Sequence, residues 1–230
     1  MLFLIPSTLA PDTSESVISP QIREVIKETD YYFVENVRTT RRYISELKVG
    51  KVIDQLHFFE LDKDTPLASV KQYFKEIPEG KSIGVISEAG CPGVADPGAL
   101  AVQTAHQLGM KVVPLVGPSS ILLALMASGF SGQSFVFHGY LPIDKIERAK
   151  KLKVLENDGR KGQTQIFMET PFRNNQLLDD LLVNLAPSAF LCIACNVTGS
   201  DEFIQTKTIA EWKKQKPDLH KKPTMFLLSS

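Results

Sequence analysis

Cysteine is scarce in this 230-residue chain: three residues in all, an odd number. That count suits neither a disulfide scaffold nor a four-cysteine metal site, so reduced thiols in a cytoplasmic protein are expected. Cys192 and Cys195 form a C-x-x-C, but residues three apart on a strand point to opposite faces. They are not expected to share a metal or a disulfide. An excess of charge is lacking too: 26 basic and 26 acidic residues give a formal net charge of zero. No overall field would drive such a chain onto nucleic acid or anionic lipid, although local patches remain open. The apolar start, Met1 to Ile5, has no basic flank and stops at Pro6, so it does not read as a secretory signal. His57, His106, His138 and His220 are scattered without ligand spacing, and no metal is expected. Also missing are G-x-G-x-x-G, G-x-x-x-x-G-K-[ST] and G-x-S-x-G, which argues against dinucleotide, P-loop and nucleophile-elbow chemistry. Residues 112–137 carry no charge and are long enough to span a bilayer, yet prolines, glycines and serines interrupt them. A buried strand, turn and helix is the better reading there, with no membrane span.

What is present is ordinary globular composition, 43% apolar and 23% charged, long enough for one or two compact domains without staples. Apolar runs at 2–5, 31–35, 82–87 and 111–116 read as strands. Helical spacing falls around Ile22, Val25 and Ile26, over 39–47, over 67–77 and over 99–108. This alternation predicts a mostly parallel sheet covered by helices. The chain restarts at Gly117 and Pro118 with a helix through Ala127. Strands follow at 134–141, 163–169, 189–196, 202–207 and 224–228, with helices at 174–185 and 209–214. Several neighbouring strands here lack a helix between them, which predicts a mixed sheet. The expected organisation is therefore α/β, with domains at 1–116 and 117–230.

Three loops could carry chemistry. Open α/β sheets bind ligands beyond the carboxyl ends of their strands. The loop at 87–98, SEAGCPGVADPG, is richer in Gly and Pro than a connection needs. Within it Asp96 is expected as an N-cap, with Pro97 at the first helical position. The turn VGPSS at 116–120 offers amides and two hydroxyls for a polar or anionic group, or else simple capping. The third, ENVRTTRR at 35–42, follows a strand. Residues 36–51 hold five basic groups and one acidic, and residues 145–161 hold seven and three, each net +4. Each run reads first as a solvated helix face. If both border one site, they would suit a phosphate-bearing polymer.

Taken together, FVENVRTTRR at 33–42, VISEAGCPGVADPG at 85–98, VPLVGPSS at 113–120, FHGYLP at 137–142 and FMETPFR at 167–173 are recognisable, and in order. The chain resembles the tetrapyrrole-methylase superfamily of S-adenosylmethionine-dependent methyltransferases over nearly its whole length. Within it, the likeness is closest to the branch that methylates ribose 2′-hydroxyls of small-subunit ribosomal RNA. The resemblance implies a two-domain tetrapyrrole-methylase-like fold, S-adenosylmethionine as cofactor in a cleft formed by the two domains, a homodimer, and ribosomal RNA or the small ribosomal subunit as partner. Carried over by motif, the cofactor contacts would be Thr8, Ala89, Gly90, Cys91, Val94, Ser119, Ser120, Met168, Asn196, Val197, Pro223 and Thr224. Glu35, Arg38 and Glu169 would be the catalytic candidates, since a ribose hydroxyl is a poor nucleophile that a general base or polarising group should help.

The likeness has gaps. The family's first-strand loop carries glycine, whereas PSTLAP stands at 6–11 here, and NVTGSDEF at 196–203 replaces a segment with a basic residue and histidine. The chain also ends without the family's usual C-terminal extension. These departures read as a divergent, shortened relative. They keep two alternatives open: a methyltransferase acting on a tetrapyrrole or other small molecule, and a non-catalytic ligand-binding descendant.

Overall fold

The computed structural model describes residues 1–229. The chain divides into two compact units, Met1–Ser119 and the residues from Ser120 onward.

The first unit alternates strand and helix. Its elements are β1 (Leu2–Leu4), α1 (Ser14–Val17), α2 (Pro20–Glu28), β2 (Tyr31–Val34), α3 (Val37–Glu46), β3 (His57–Glu60), α4 (Leu67–Glu76), β4 (Ile83–Ile86), α5 (Gly98–Gln107) and β5 (Val112–Pro114). The five strands form a wholly parallel sheet in the order β3-β2-β4-β1-β5. Strand alternation splits the buried side chains between two cores. Tyr32, Val34 and Ile86 pack with Ile22, Ile26 and Ile44, while Phe33, Ile83 and Val85 pack with Val70, Phe74 and Ala101. Helix starts follow local chemistry: Ser19 accepts from Ile22 N ahead of Pro20, and Asn36 accepts from Thr39 N at the start of α3. Gly84 is required in β4, because a Cβ there would lie 2.8 Å from both Ile5 and Tyr32.

The second unit holds α6 (Ser120–Ser128), β6 (Phe135–Tyr140), α7 (Lys145–Arg160), β7 (Thr164–Met168), α8 (Asn174–Asn184), β8 (Phe190–Cys195), β9 (Phe203–Thr208), α9 (Ile209–Lys214) and β10 (Thr224–Ser229). Its sheet is mixed, in the order β6-β7-β10-β8-β9, with β6 and β7 parallel and the remaining pairs antiparallel. Parallel and mixed sheets are therefore segregated as the strand and helix pattern predicts. One core joins Leu152, Phe167, Leu178, Ile193, Trp212 and Phe226. Trp212 is buried, and its Nε1 donates to Leu191 O at 2.9 Å.

Two expectations need correction, and one strand lies outside the sequence pattern. Residues 145–161 are not only a solvated face: α7 buries Leu152 and Leu155, and Arg148 is 2% exposed and pairs with Asp180 of α8 at 2.5 Å. The helix expected from Gly117 begins at Ser120; Gly117 instead lies in the segment before it, against the Pro6 ring so closely that a Cβ would overlap it. Strand β3 was not anticipated. It lies at the edge of the sheet with a half-exposed sequence, HFFE, that lacks the alternation of a half-buried strand.

Candidate functional site

The loops after β1, β4 and β5 sit side by side because these strands are neighbours in the sheet. Glycine lets them converge. Gly90 has φ +74°, and a Cβ on it would meet Leu9 Cδ2 at 3.1 Å and Pro118 O at 3.3 Å. Ser7 N donates to Gly90 O at 3.0 Å, and Cys91 Sγ donates to Pro118 O at 3.3 Å. Backbone from all three loops thus meets at the carboxyl ends of parallel strands, the position at which such sheets take ligands.

Two carboxylates brace the loop after β4. Glu35, just past β2, accepts from Glu88 N at 2.9 Å, and Glu88 accepts from the Thr39 hydroxyl at 2.6 Å. Asp96 accepts from Gly93 N at 2.8 and 2.9 Å through its two oxygens, and from Gly98 N at 2.7 Å. Asp96 is not the N-cap: Pro97 occupies that position and α5 starts at Gly98. Its carboxylate instead folds the loop back on itself, across Gly93 and Ala95, both at positive φ. A cavity of about 10 Å³, room for roughly one water, lies among Glu35, Ser87 and Asp96. Ser87 Oγ is buried there without a well-formed hydrogen bond, although it stands near enough to Asp96 to favour the ionised acid.

Burial pushes the Glu35 carboxyl above its ordinary value; the Glu88 amide opposes this, and the charges of Asp96 and Glu88 add to it. Burial also pushes Asp96 up, against hydrogen bonds from Gly93, Gly98 and Val94. The Cys91 thiol is likewise raised by burial and by Asp96, so it is not an activated thiolate. A carboxyl whose folded pKa is raised holds its proton longer in the native state. Its contribution to stability therefore falls as pH rises from the ordinary carboxylate value to the raised one. Glu35→Gln, which keeps an acceptor for Glu88 N, should gain stability relative to wild type across that window. Chemical denaturation at several pH values measures this, and a pH-independent difference would contradict the shift.

The expected site residues fall into two sets. In the first unit Thr8 and Ala89 line one pocket, Gly90 and Cys91 meet Ser7 and Pro118, and Ser119 follows at once. Val94 is exposed on the same loop, and Arg38 is exposed on α3 one turn from Glu35. In the second unit Asn196 N donates to Pro223 O at 2.9 Å, Thr224 lies opposite Cys195, and Met168 lies opposite Met225. Met168, Asn196, Val197, Pro223 and Thr224 therefore gather at one end of the mixed sheet, while Ser120 opens α6. Glu169 is a buried side chain that accepts from Arg173 and from Thr170 N, both at 2.6 Å. The clamp by Asp96 and the tie from Glu88 to Glu35 escaped the sequence reading; the ADPG string held the only signal for the clamp. Among the described residues no His, Cys, Asp and Glu group could hold a metal ion, and no helix is long and apolar enough to cross a membrane.

No family model matches the chain. A curated relative from Vibrio cholerae serotype O1, named ribosomal RNA small subunit methyltransferase I, is 32% identical over 99% of this chain and 76% of its own length. The chain belongs to the ribosomal RNA small subunit methyltransferase I family. A second member, from Buchnera aphidicola subsp. Schizaphis graminum, is 28% identical over 99% of the chain and 77% of its own length. Among solved structures, diphthine synthase matches with a TM-score of 0.71 at 15% identity, covering 100% of this chain and 90% of that one. The methyltransferase CobJ matches at 0.65 and 17%, covering 100% and 93%. At such identities these two establish the tetrapyrrole-methylase fold alone. Family membership makes the chain a methyltransferase that uses S-adenosylmethionine. The residues present fit such a ligand: a nucleoside with polar edges needs close main chain, and main chain of the loops after β1, β4 and β5 converges at the carboxyl ends of parallel strands.

Proposed function

We propose that this methyltransferase modifies a ribose 2′-hydroxyl of small-subunit ribosomal RNA. The observation that carries the reading is the braced Gly-rich loop with half-buried Glu35 at its root, in a chain related over 99% of its own length to a protein named for that RNA. When bound, S-adenosylmethionine supplies an electrophilic methyl group. Ala89, Gly90, Cys91, Val94 and Ser119, with Thr8, are its contacts from the first unit.

The chain's own residues position the acceptor and handle its proton. Glu35 Oε2 is held by Glu88 N, and Oε1, without a hydrogen bond among the described residues, is placed to accept the hydroxyl proton. Burial that raises its pKa makes it a better base at neutral pH than an exposed carboxylate. Arg38, exposed nearby on α3, would steady negative charge on the acceptor. Glu169 holds Arg173 and the turn after β7 in place.

The test is calorimetric titration with S-adenosylmethionine, followed by transfer of labelled methyl to small ribosomal subunits that lack the modification. Saturable binding and label in a nuclease-resistant 2′-O-methyl dinucleotide is the expected result. Binding with label on a base, or on a porphyrinoid instead of RNA, would overturn the acceptor assignment.

A further inference from the structure

We propose that a pocket in the first unit is a subsite for one internal ribonucleotide of the acceptor RNA, with Arg42 holding its phosphodiester. The inference rests on the reading of the chain as a ribosomal RNA methyltransferase. The pocket has a volume of about 270 Å³ and is walled by residues 7–12, by the inner turns of α3 and by residues 86–89 at the root of the Gly-rich loop. That volume falls just below the roughly 300 Å³ at which whole-ligand sites start. It suits a nucleotide-sized fragment.

The chemistry of the walls narrows the ligand. Tyr43 donates its hydroxyl to Pro6 O at 2.8 Å, and Thr39 donates to Glu88 at 2.6 Å, so these groups hold the pocket's shape. The Arg42 guanidinium is exposed and makes no ion pair among the described residues, although Asp12 and Glu46 line the same pocket. Its neighbour Arg41, by contrast, is paired with Asp54. What the pocket offers a ligand is one unpaired cation and several carboxylate acceptors, those of Asp12, Glu46 and Glu88. The matching ligand carries a single negative charge together with O–H and N–H donors. An internal ribonucleotide does: one phosphodiester charge, a 2′-hydroxyl and base N–H groups. A terminal phosphate, nearly a dianion, would place its second charge among three carboxylates.

Arg38 supports this placement. It stands one turn before Arg42 on α3, exposed and without an ion pair among the described residues. Residues at i and i+4 lie side by side on a helix face, so Arg38 is in reach of the neighbouring phosphodiester. A chain with no net charge can thus grip a polyanion through one local stripe.

The experiment uses the full chain. Fluorescence anisotropy follows binding of a labelled, mixed-sequence single-stranded oligoribonucleotide and its deoxy counterpart over a salt series, and calorimetry measures S-adenosylmethionine affinity on the same preparations. Arg42→Gln should weaken RNA binding about tenfold and lower the log–log salt slope by about 0.7, with unchanged cofactor affinity. Arg42→Lys should restore the slope but not the full affinity, because an ammonium cannot bind two oxygens in the fork geometry. Asp12→Asn with Glu46→Gln should narrow the preference for RNA over DNA. A nucleoside 5′-monophosphate should compete poorly. Wild-type affinity and slope in Arg42→Gln would overturn the subsite, as would a monophosphate that competes as well as the oligonucleotide. Loss of cofactor affinity in Arg42→Gln would overturn it too, by placing Arg42 in the other site. If wild type neither binds S-adenosylmethionine nor methylates subunits, the functional reading itself fails, a result distinct from all of these.

Discussion

Gly90→Val will weaken S-adenosylmethionine binding by about a hundredfold or more. Two effects add. Valine is β-branched, and at φ +74° its Cβ conflicts with the main chain at about 1–2 kcal/mol. The same Cβ meets Leu9 at 3.1 Å and Pro118 O at 3.3 Å, and overpacking of this kind costs about 1–3 kcal/mol. The loop must move, and with it the carbonyl that receives Ser7 N and the thiol that reaches Pro118. Each 1.4 kcal/mol is about tenfold in affinity. A matched control is Gly109→Ala at the end of α5, which has φ +67° but open space around it. It should lose about 1 kcal/mol of stability and no cofactor affinity. Calorimetry on both variants decides: unchanged affinity in Gly90→Val would remove this loop from the cofactor site.

The largest loss of stability is expected in the second unit. Arg148→Ala will lower its unfolding free energy by about 3–5 kcal/mol, since removing one partner of a buried ion pair strands the other charge. Arg148 is 2% exposed and stands 2.5 Å from Asp180, whose side chain is 20% exposed. Its guanidinium also donates to Pro142 O at 3.4 Å, tying α7 and α8 to the loop after β6. Domains are stable by only about 5–15 kcal/mol, so this is a large share. The double replacement Arg148→Met with Asp180→Leu should recover most of the loss, because desolvation of both charges disappears along with their attraction. Urea denaturation compares the three proteins. A single variant as stable as wild type would mean that water reaches the pair and screens it.

Much of the fold was legible because period and punctuation are local properties. The apolar run at 82–87 and the stop at Gly109 each record the conformation of a few neighbouring residues. Helix α7 shows where that logic weakens. Its charges suggest a solvated face, yet Arg148 is buried because Asp180, thirty-two positions later, lies across from it. Nothing within α7 itself announces that partner. Strand β3 was missed for a related reason: an edge strand needs no clean alternation, and its identity comes from pairing with β2.

The same division holds for the site. By itself the sequence determined the α/β class, the parallel and mixed halves, and the loops rich in glycine, since these depend on residue type and spacing along the chain. It also carried the motifs that mark the methyltransferase family. Only the tertiary structure decided that Asp96 clamps Gly93 and Gly98 rather than capping α5, that Glu35 holds the amide of Glu88, and that Arg42 stays unpaired beside a pocket while Arg41 does not. Those facts depend on the order of strands in a sheet. That order places Glu35 beside Glu88, fifty-three positions away, at a separation no local preference specifies.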